Sequence, residues 1–304
     1  MRVGRMIRWV VTAVIVAAAA VYFITPVRLA ALYLTGRAGP CPWRETMRSA
    51  DNLRWQIELK DRILAASRLL EQDPAGYNLW ETPKGRYWIP RGSDYSLPFN
   101  LAEQERRIYG QGTLGVQPGD VVLDCGASVG VFTREALAAG ARLVVAIELA
   151  PENLECLRRN FASEVEVGRV VIYPKGVWDR DDVLTLYVDP GNSPADSVVM
   201  RPERAREGPK VPLTTIDKLV DELHLERVDF IKMDIEGAEQ KALAGARNTL
   251  SRFRPRLALS AYHREDDPRR IPELVREAWP GYRMECGVCA DAKLFVRPDV
   301  LFFR

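Results

Sequence analysis

The chain has 304 residues, 47% hydrophobic and 28% charged, with a formal net charge of +2. These values suit a globular chain of one large or two ordinary domains, and exclude a disordered, collagenous or coiled-coil protein. The near-neutral balance excludes a nucleic-acid-coating protein. Five cysteines are too few, and odd in number, for a disulfide-stapled scaffold, and two histidines limit histidine-rich metal sites.

No residue from Trp9 to Val27 carries a charge; Arg2, Arg5 and Arg8 precede this run and Arg28 and Arg37 follow it. As a helix it would rise about 28 Å, close to the hydrocarbon thickness of a bilayer. Residues 1–36 therefore read as an N-terminal membrane anchor. The rival readings are a cleaved signal peptide, with Ala18 and Ala20 as the small cleavage-site residues, and a buried helix. Arginines flank both ends, so the positive-inside rule barely discriminates. Gly36, Gly39, Pro40 and Pro42 then mark a loop. Trp55, Leu59, Ile63, Ala66 and Leu70 recur at helical spacing, so residues 37–76 read as an amphipathic helical connector. Its stripe is expected to pack on the main domain; the alternative is a position on the membrane surface.

Residues 77–304 form the main unit. Tyr77–Trp80 and Tyr87–Ile89 flank the turn Thr82-Pro83-Lys84-Gly85, which predicts a hairpin, and a helix is expected over 100–110. Val121–Cys125, Leu143–Glu148 and Asp229–Asp234 read as strands, each with an acid at or next to its end. Arg169–Tyr173, Val183–Val188, Arg256–Ser260 and 294–303 are further strand candidates. Helices are expected over 152–161, after Gly237 and over 269–279. Alternation of strand and helix predicts an α/β fold on a mostly parallel sheet.

In such a sheet, ligands sit beyond the carboxyl ends of the strands. The turn after Val121–Cys125 is Asp124-x-Gly126-x-x-x-Gly130, and Glu148 ends the next strand about twenty residues on, where an acid can bind both ribose hydroxyls. A dinucleotide oxidoreductase would more often show G-x-G-x-x-G. An acid beside the turn repels a pyrophosphate and suits an ammonium and a sulfonium, which favours S-adenosylmethionine over NAD. The plainer reading is a glycine turn that only packs strand on helix.

The run Gly119-Asp120-Val121-Val122-Leu123-Asp124-Cys125-Gly126-Ala127-Ser128-Val129-Gly130 closely resembles the first motif of the FkbM-type methyltransferases. Val228-Asp229-Phe230-Ile231-Lys232-Met233-Asp234-Ile235-Glu236-Gly237-Ala238-Glu239 resembles their most specific run. Glu103-Gln104-Glu105 with Tyr109-Gly110, Pro212–Asp217, and Tyr262-His263 with Asp266-Asp267 add to the likeness, which covers roughly 77–285. The resemblance implies a class I, Rossmann-like seven-stranded sheet with its last strand antiparallel. It implies S-adenosylmethionine bound over Asp124, Gly126, Ala127, Ser128, Gly130, Glu148 and Leu149, and methyl transfer to a hydroxyl. Ser128 and Leu149 depart from the family pattern, where asparagine and proline are common.

Methyl transfer needs alignment and removal of the acceptor proton. Asp234, Glu236 and His263 are the candidates at strand ends. Each has a plainer reading: Asp234 shaping a turn, Glu236 stabilising a helix start, His263 a surface residue beside Asp266 and Asp267. The three could instead hold a divalent metal, although no metal is assigned here. Cys286-x-x-Cys289 lacks the further ligands that zinc needs. The basic stretches 201–210 and 252–256 read as solvated surface. The expected acceptor is a small molecule, a glycan or a lipid-linked compound, with membrane contact through 9–27 and no nucleic acid. S-adenosylmethionine is made inside cells, so a single-pass anchor with its catalytic domain facing the cytoplasm is expected. The alternative to an enzyme is a non-catalytic, membrane-tethered binding module that retains the fold.

Overall fold

In chain order the computed structural model begins with α1 (Arg2–Phe23), α2 (Thr25–Leu34) and α3 (Trp43–Ala65). It describes residues 2–189, 191–201 and 204–304, with the backbone alone at 2–4, 13, 14, 17, 18 and 20. An antiparallel sheet of β1 (Arg68–Asp73), β2 (Tyr77–Thr82) and β3 (Gly85–Pro90) follows, then α4 (Ser96–Glu105). The alternating region comprises β4 (Val121–Cys125), α5 (Val131–Ala138), β5 (Leu143–Ile147), α6 (Pro151–Asn160), α7 (Ala162–Glu166) and β6 (Val170–Tyr173). A second small sheet holds β7 (Gly176–Val177), β8 (Asp182–Val188) and β9 (Arg206–Thr214). The chain continues through α8 (Ile216–Glu222), β10 (Phe230–Met233), α9 (Glu239–Ala244), α10 (Arg247–Phe253), β11 (Arg256–Ser260) and α11 (Asp267–Ala278). It closes with β12 (Met284–Cys286), β13 (Cys289–Asp291), β14 (Val296–Pro298) and β15 (Val300–Phe303).

The main sheet has seven strands in the order β12-β15-β11-β10-β4-β5-β6. Strands β11, β10, β4, β5 and β6 pair in parallel, and β15 runs antiparallel to both neighbours. The sheet is therefore mixed, with its closing strand reversed as expected. Every residue of β4 and β10 is buried. That is why these strands read as apolar runs interrupted only by Asp124 and Lys232: helices cover both faces of the sheet. The main core joins Leu123, Val145, Ile231, Leu257 and Leu301 to Leu219, Leu243, Leu250 and Ile271 from the helices.

Three readings change. The helical stripe stops at Ala65, and residues 68–73 are the strand β1, paired with β2. Leu59 and Ile63 do pack on the main domain, against Tyr87, Ile89 and Leu101, but Trp55 is 52% exposed under the Arg106 guanidinium. Among the described residues, no helix is long and apolar enough to cross a membrane. The expected span is helical, but its residues 13, 14, 17, 18 and 20 have side chains outside those described. Residues 202 and 203 of the basic stretch 201–210 also lie outside the described residues.

The cysteine reading changes too. Cys289 is disulfide-bonded to Cys41 across a separation of 248 residues, while Cys286 is free and its thiol donates to the Pro40 carbonyl at 3.0 Å. The C-x-x-C pair is therefore neither a zinc knuckle nor a dithiol unit. Arg28 pairs with Asp291, Asn52 donates to the Cys289 carbonyl at 2.7 Å, and Leu29 and Leu32 share an apolar cluster with Val296. The segment after α1 is thereby fastened to the β13–β14 hairpin.

Candidate active site

Four neighbouring strands, β11, β10, β4 and β5, end at one edge, and each delivers part of the site. From β4 comes the turn 126–130. Gly126 has φ +79°, and a Cβ there would lie 1.9 Å from the Asp234 carbonyl oxygen. Gly130 has φ +90°, and its Cβ would meet the Phe161 ring at 2.1 Å. At both positions the close approach that demands glycine is to the protein itself, so turn packing is part of their role. Gly126, Ser128, Glu148, Leu149 and Asn153 line one cleft, which extends to Asp234 and Glu236. A second cleft shares Gly126, Ser128, Asp234 and Glu236, and adds Ala127, Glu103, Tyr109, Lys232 and Tyr262. Gly130 and Asp124 line neither of these clefts.

Asp124 was expected to favour a cationic ligand. It is instead fully buried and faces the chain's own cation: the parallel register sets it opposite Lys232, whose ammonium lies 3.3 Å from its carboxylate. Thr133 donates to its other oxygen at 2.7 Å. Lys232 also donates to the Gly126 carbonyl at 2.8 Å, so this pair braces the turn from below. Burial alone would lower the Lys232 pKa, but Asp124 and Asp234 hold it above its ordinary value.

Glu148 is 8% exposed. One carboxylate oxygen accepts from Leu149 and Ala150 N–H, the other from Ser128 N–H at 2.8 Å. Burial raises its pKa against the pull of these three donors. Ser128, a non-glycine residue at φ +50°, keeps its hydroxyl buried without a partner among the described residues, as does the Asn153 amide oxygen. These unpaired atoms mark the cleft as built for a polar ligand.

Residues 191–200, between β8 and the basic stretch, were not singled out from sequence, because they have no periodicity to read. They place Ser193, Asp196 and Ser197 on the cleft wall. Ser197 donates to the Glu236 carbonyl at 2.8 Å. Burial, reinforced by Glu148 nearby, pushes Asp196 up to about 7. Ser193 meets Ser93 at 3.0 Å, tying this wall to the segment before α4.

Asp234 and Glu236 follow β10, and His263 follows β11. The structure brings all three together, with one ligand-type atom from each within 4.8 Å of the others. His263 is not a surface residue: its side chain is 3% exposed and it lies behind the two carboxylates, outside both cleft walls. Its Nδ1 lies 2.9 Å from the Glu239 carboxylate, which is fully buried and also accepts from Ile235 N–H. Its Nε2 lies 3.6 Å from Asp234 and 3.5 Å from Glu236. Asp266 and Asp267 are engaged by Gln240 instead. Tyr109 donates to Asp234 at 2.7 Å.

Burial alone would lower the His263 pKa, but Glu236, Glu239 and Asp234 outweigh it and push the imidazole up to about 11. Burial would raise Asp234, yet Lys232, His263 and Tyr109 keep it below its ordinary range. Glu236 stays raised, mainly by burial. Glu103, in the second cleft, is pushed up to about 8 by burial and by Asp234. Glu236 has φ +52°, a left-handed backbone costing a non-glycine residue roughly 1–2 kcal/mol. Such strain at a cleft wall is found where side-chain direction matters.

The family model described as "Methyltransferase FkbM domain" matches residues 124–284, more than half of the chain. The antimetabolite synthetase AmbE of Pseudomonas aeruginosa is 26% identical over 172 residues, covering 45% of this chain and 8% of that protein. Among solved structures, methyltransferase FkbM from Methylobacillus flagellatus is 19% identical with a TM-score of 0.47, covering 86% of this chain and 62% of that one. TYW2 of M. jannaschii, solved in complex with AdoMet, is 15% identical with a TM-score of 0.40, covering 78% and 86%. The chain thus spans less than two thirds of both AmbE and the M. flagellatus protein. With its seven-stranded mixed sheet and a family match that takes in Asp124–Gly130 and the whole of the second motif run, the chain belongs to the FkbM methyltransferase domain family.

Proposed function

We propose that the chain is an S-adenosylmethionine-dependent methyltransferase acting on a hydroxyl of a glycan, a lipid-linked intermediate or a natural product. The observation that carries this reading is one continuous cleft with Glu148 at one end and Asp234 and Glu236 at the other. The residues present fit the cofactor: the Glu148 oxygen that accepts from Ser128 alone retains one acceptor site for a ribose hydroxyl, and the unpaired Ser128 and Asn153 oxygens await polar partners. When bound, S-adenosylmethionine supplies an electrophilic methyl on a sulfonium. Asp234 orients the acceptor hydroxyl, Glu236, the carboxylate held above its ordinary range, takes up its one proton, and His263 fixes the direction of both from behind.

Calorimetry on the full chain in detergent tests this. Micromolar binding of S-adenosylmethionine is expected, with NAD inert and Glu148→Ala weaker by at least about tenfold. Glu148→Gln, which keeps the acceptor oxygen, serves where alanine disturbs the turn. A wild-type chain that unfolds cooperatively yet binds no S-adenosylmethionine overturns the proposal.

We extend the proposal to membrane attachment through residues 9–27 with the catalytic domain in the cytoplasm. Outward apolar side chains at Trp9 (72% exposed), Tyr22 (74%) and Phe23 (77%) support it, as does the cellular supply of the methyl donor. Cytosolic thiol pools keep cysteine pairs reduced, so Cys41 and Cys289 are expected as thiols in intact cells. Fractionation should place the chain with membranes, and deletion of residues 1–27 should release it. Finding Cys41 and Cys289 already paired in cells alkylated before lysis, or a C-terminal reporter active only outside the cytoplasm, contradicts this orientation.

A further inference from the structure

We propose that Asp234, Glu236 and His263 form a binding site for a first-row divalent cation at the acceptor end of the cleft. This deepens the reading above and rests on it only for the role of the ion, not for its binding.

Four observations converge. First, one imidazole nitrogen and two carboxylate oxygens, from two adjacent strand ends, lie within 4.8 Å of one another. Bonds of ~2.1 Å set neighbouring ligands of a tetrahedral ion about 3.4 Å apart. The His263 Nε2 separations of 3.5 and 3.6 Å already approach that spacing. Second, His263 Nε2 and Asp234 Oδ1 are buried without a hydrogen-bond partner among the described residues, and the histidine side chain is 3% exposed. Set between two carboxylates at 3.5 and 3.6 Å, too long for a good hydrogen bond to either, this nitrogen holds a proton that a cation would displace. Third, the other imidazole nitrogen is held at 2.9 Å by the buried Glu239 carboxylate. Metal-ligating histidines are almost always oriented in this way, by a carboxylate or carbonyl on the far nitrogen. Fourth, three carboxylates (Asp234, Glu236 and Glu239) gather around the His263 ring, while the Lys232 ammonium near Asp234 is committed to Asp124.

The ligand set selects the ion. An imidazole with two carboxylates suits zinc or manganese, whereas magnesium prefers oxygen ligands and keeps its waters. Asp234 and Glu236 line both clefts and His263 stands behind them, so the open coordination positions face the cleft. An acceptor oxygen entering the cleft completes the sphere. The Tyr109 hydroxyl, on the second oxygen of Asp234, fixes which carboxylate oxygen is left for the ion.

The test is equilibrium dialysis of the full chain, stripped with chelator, against Zn²⁺, Mn²⁺ and Mg²⁺, with S-adenosylmethionine binding measured on the same samples. One Zn²⁺ or Mn²⁺ per chain is expected at micromolar concentration, with Mg²⁺ at least tenfold weaker. His263→Gln should abolish it. Glu239→Gln, which keeps the bulk of the orienting side chain, should weaken it roughly 10- to 100-fold. Thermal unfolding of each variant, at matched cation-free conditions, separates lost binding from lost fold. If the cooperatively folded wild-type chain takes up no zinc or manganese at 1 mM, or if both folded variants bind as tightly as wild type, the site is refuted. Cofactor binding without metal binding sinks the site and spares the methyltransferase reading; metal binding without cofactor binding does the reverse.

Discussion

Gly126→Ala is expected to cost about 2–5 kcal/mol of stability and, in any fraction that folds, S-adenosylmethionine affinity. Two penalties add. A left-handed backbone costs a residue with a Cβ roughly 1–2 kcal/mol. The added methyl also lands 1.9 Å from the Asp234 carbonyl oxygen and 3.0 Å from its carbon, both backbone atoms at the end of β10. Backbone in a buried sheet cannot turn aside as a side chain can, and such overpacking costs about 1–3 kcal/mol more. Relative to a typical total of about 5–15 kcal/mol, this is a large share. Gly119 is the control: its φ is +86°, but a Cβ there meets nothing within 4 Å, so Gly119→Ala should show the backbone penalty alone. Denaturant unfolding of the pair measures the difference. Equal losses for both variants would mean that the turn yields to Asp234 and that this packing account is wrong.

Lys232→Met is expected to destabilise the chain by about 3–5 kcal/mol, because it leaves Asp124 charged and unpaired in the core. The side chains of Lys232 and Asp124 are 6% and 0% exposed. The variant also removes the donor to the Gly126 carbonyl, so the cofactor turn should loosen with it. Adding Asp124→Asn to Lys232→Met should recover much of the loss, since position 124 then holds no stranded charge and Asp234 keeps His263 and Tyr109. A double-mutant cycle reads this directly. Additive losses, with no recovery, would show that Asp124 is satisfied without the lysine.

This pair also shows how much of the site was legible. Strands β4, β5 and β10 stood out because burial on both faces leaves largely apolar runs, and the acids at their ends, with His263 after β11, pointed to one edge. Asp234, Glu236 and His263 were found for that reason. Lys232 carried a signal that went unused: a lone charge inside Phe230-Ile231-Lys232-Met233 requires a buried partner, and the parallel register supplies Asp124. Asp124 was therefore assigned a cationic ligand when the cation came from the next strand. Glu239 was hidden because a helix-start acid is usually solvated, whereas this one is fully buried beneath His263. The wall bearing Asp196 and Ser197 and the strand β1 were invisible to periodicity, since one is irregular and the other continued a helical spacing past Ala65. The Cys41–Cys289 pairing depends on the fold bringing together residues 248 apart, which no local pattern encodes.

That pairing changes what a broken chain would look like. When the bond is closed, nearly the whole methyltransferase domain lies inside one covalent ring. A single proteolytic nick within it, for example between β8 and β9, opens the ring without releasing a fragment. The nicked molecule keeps its mass on a denaturing gel until a reductant is added, and only then separates into two pieces. Damage to the loops beside the cleft can thus pass unnoticed in one redox state and become visible, and irreversible, in the other.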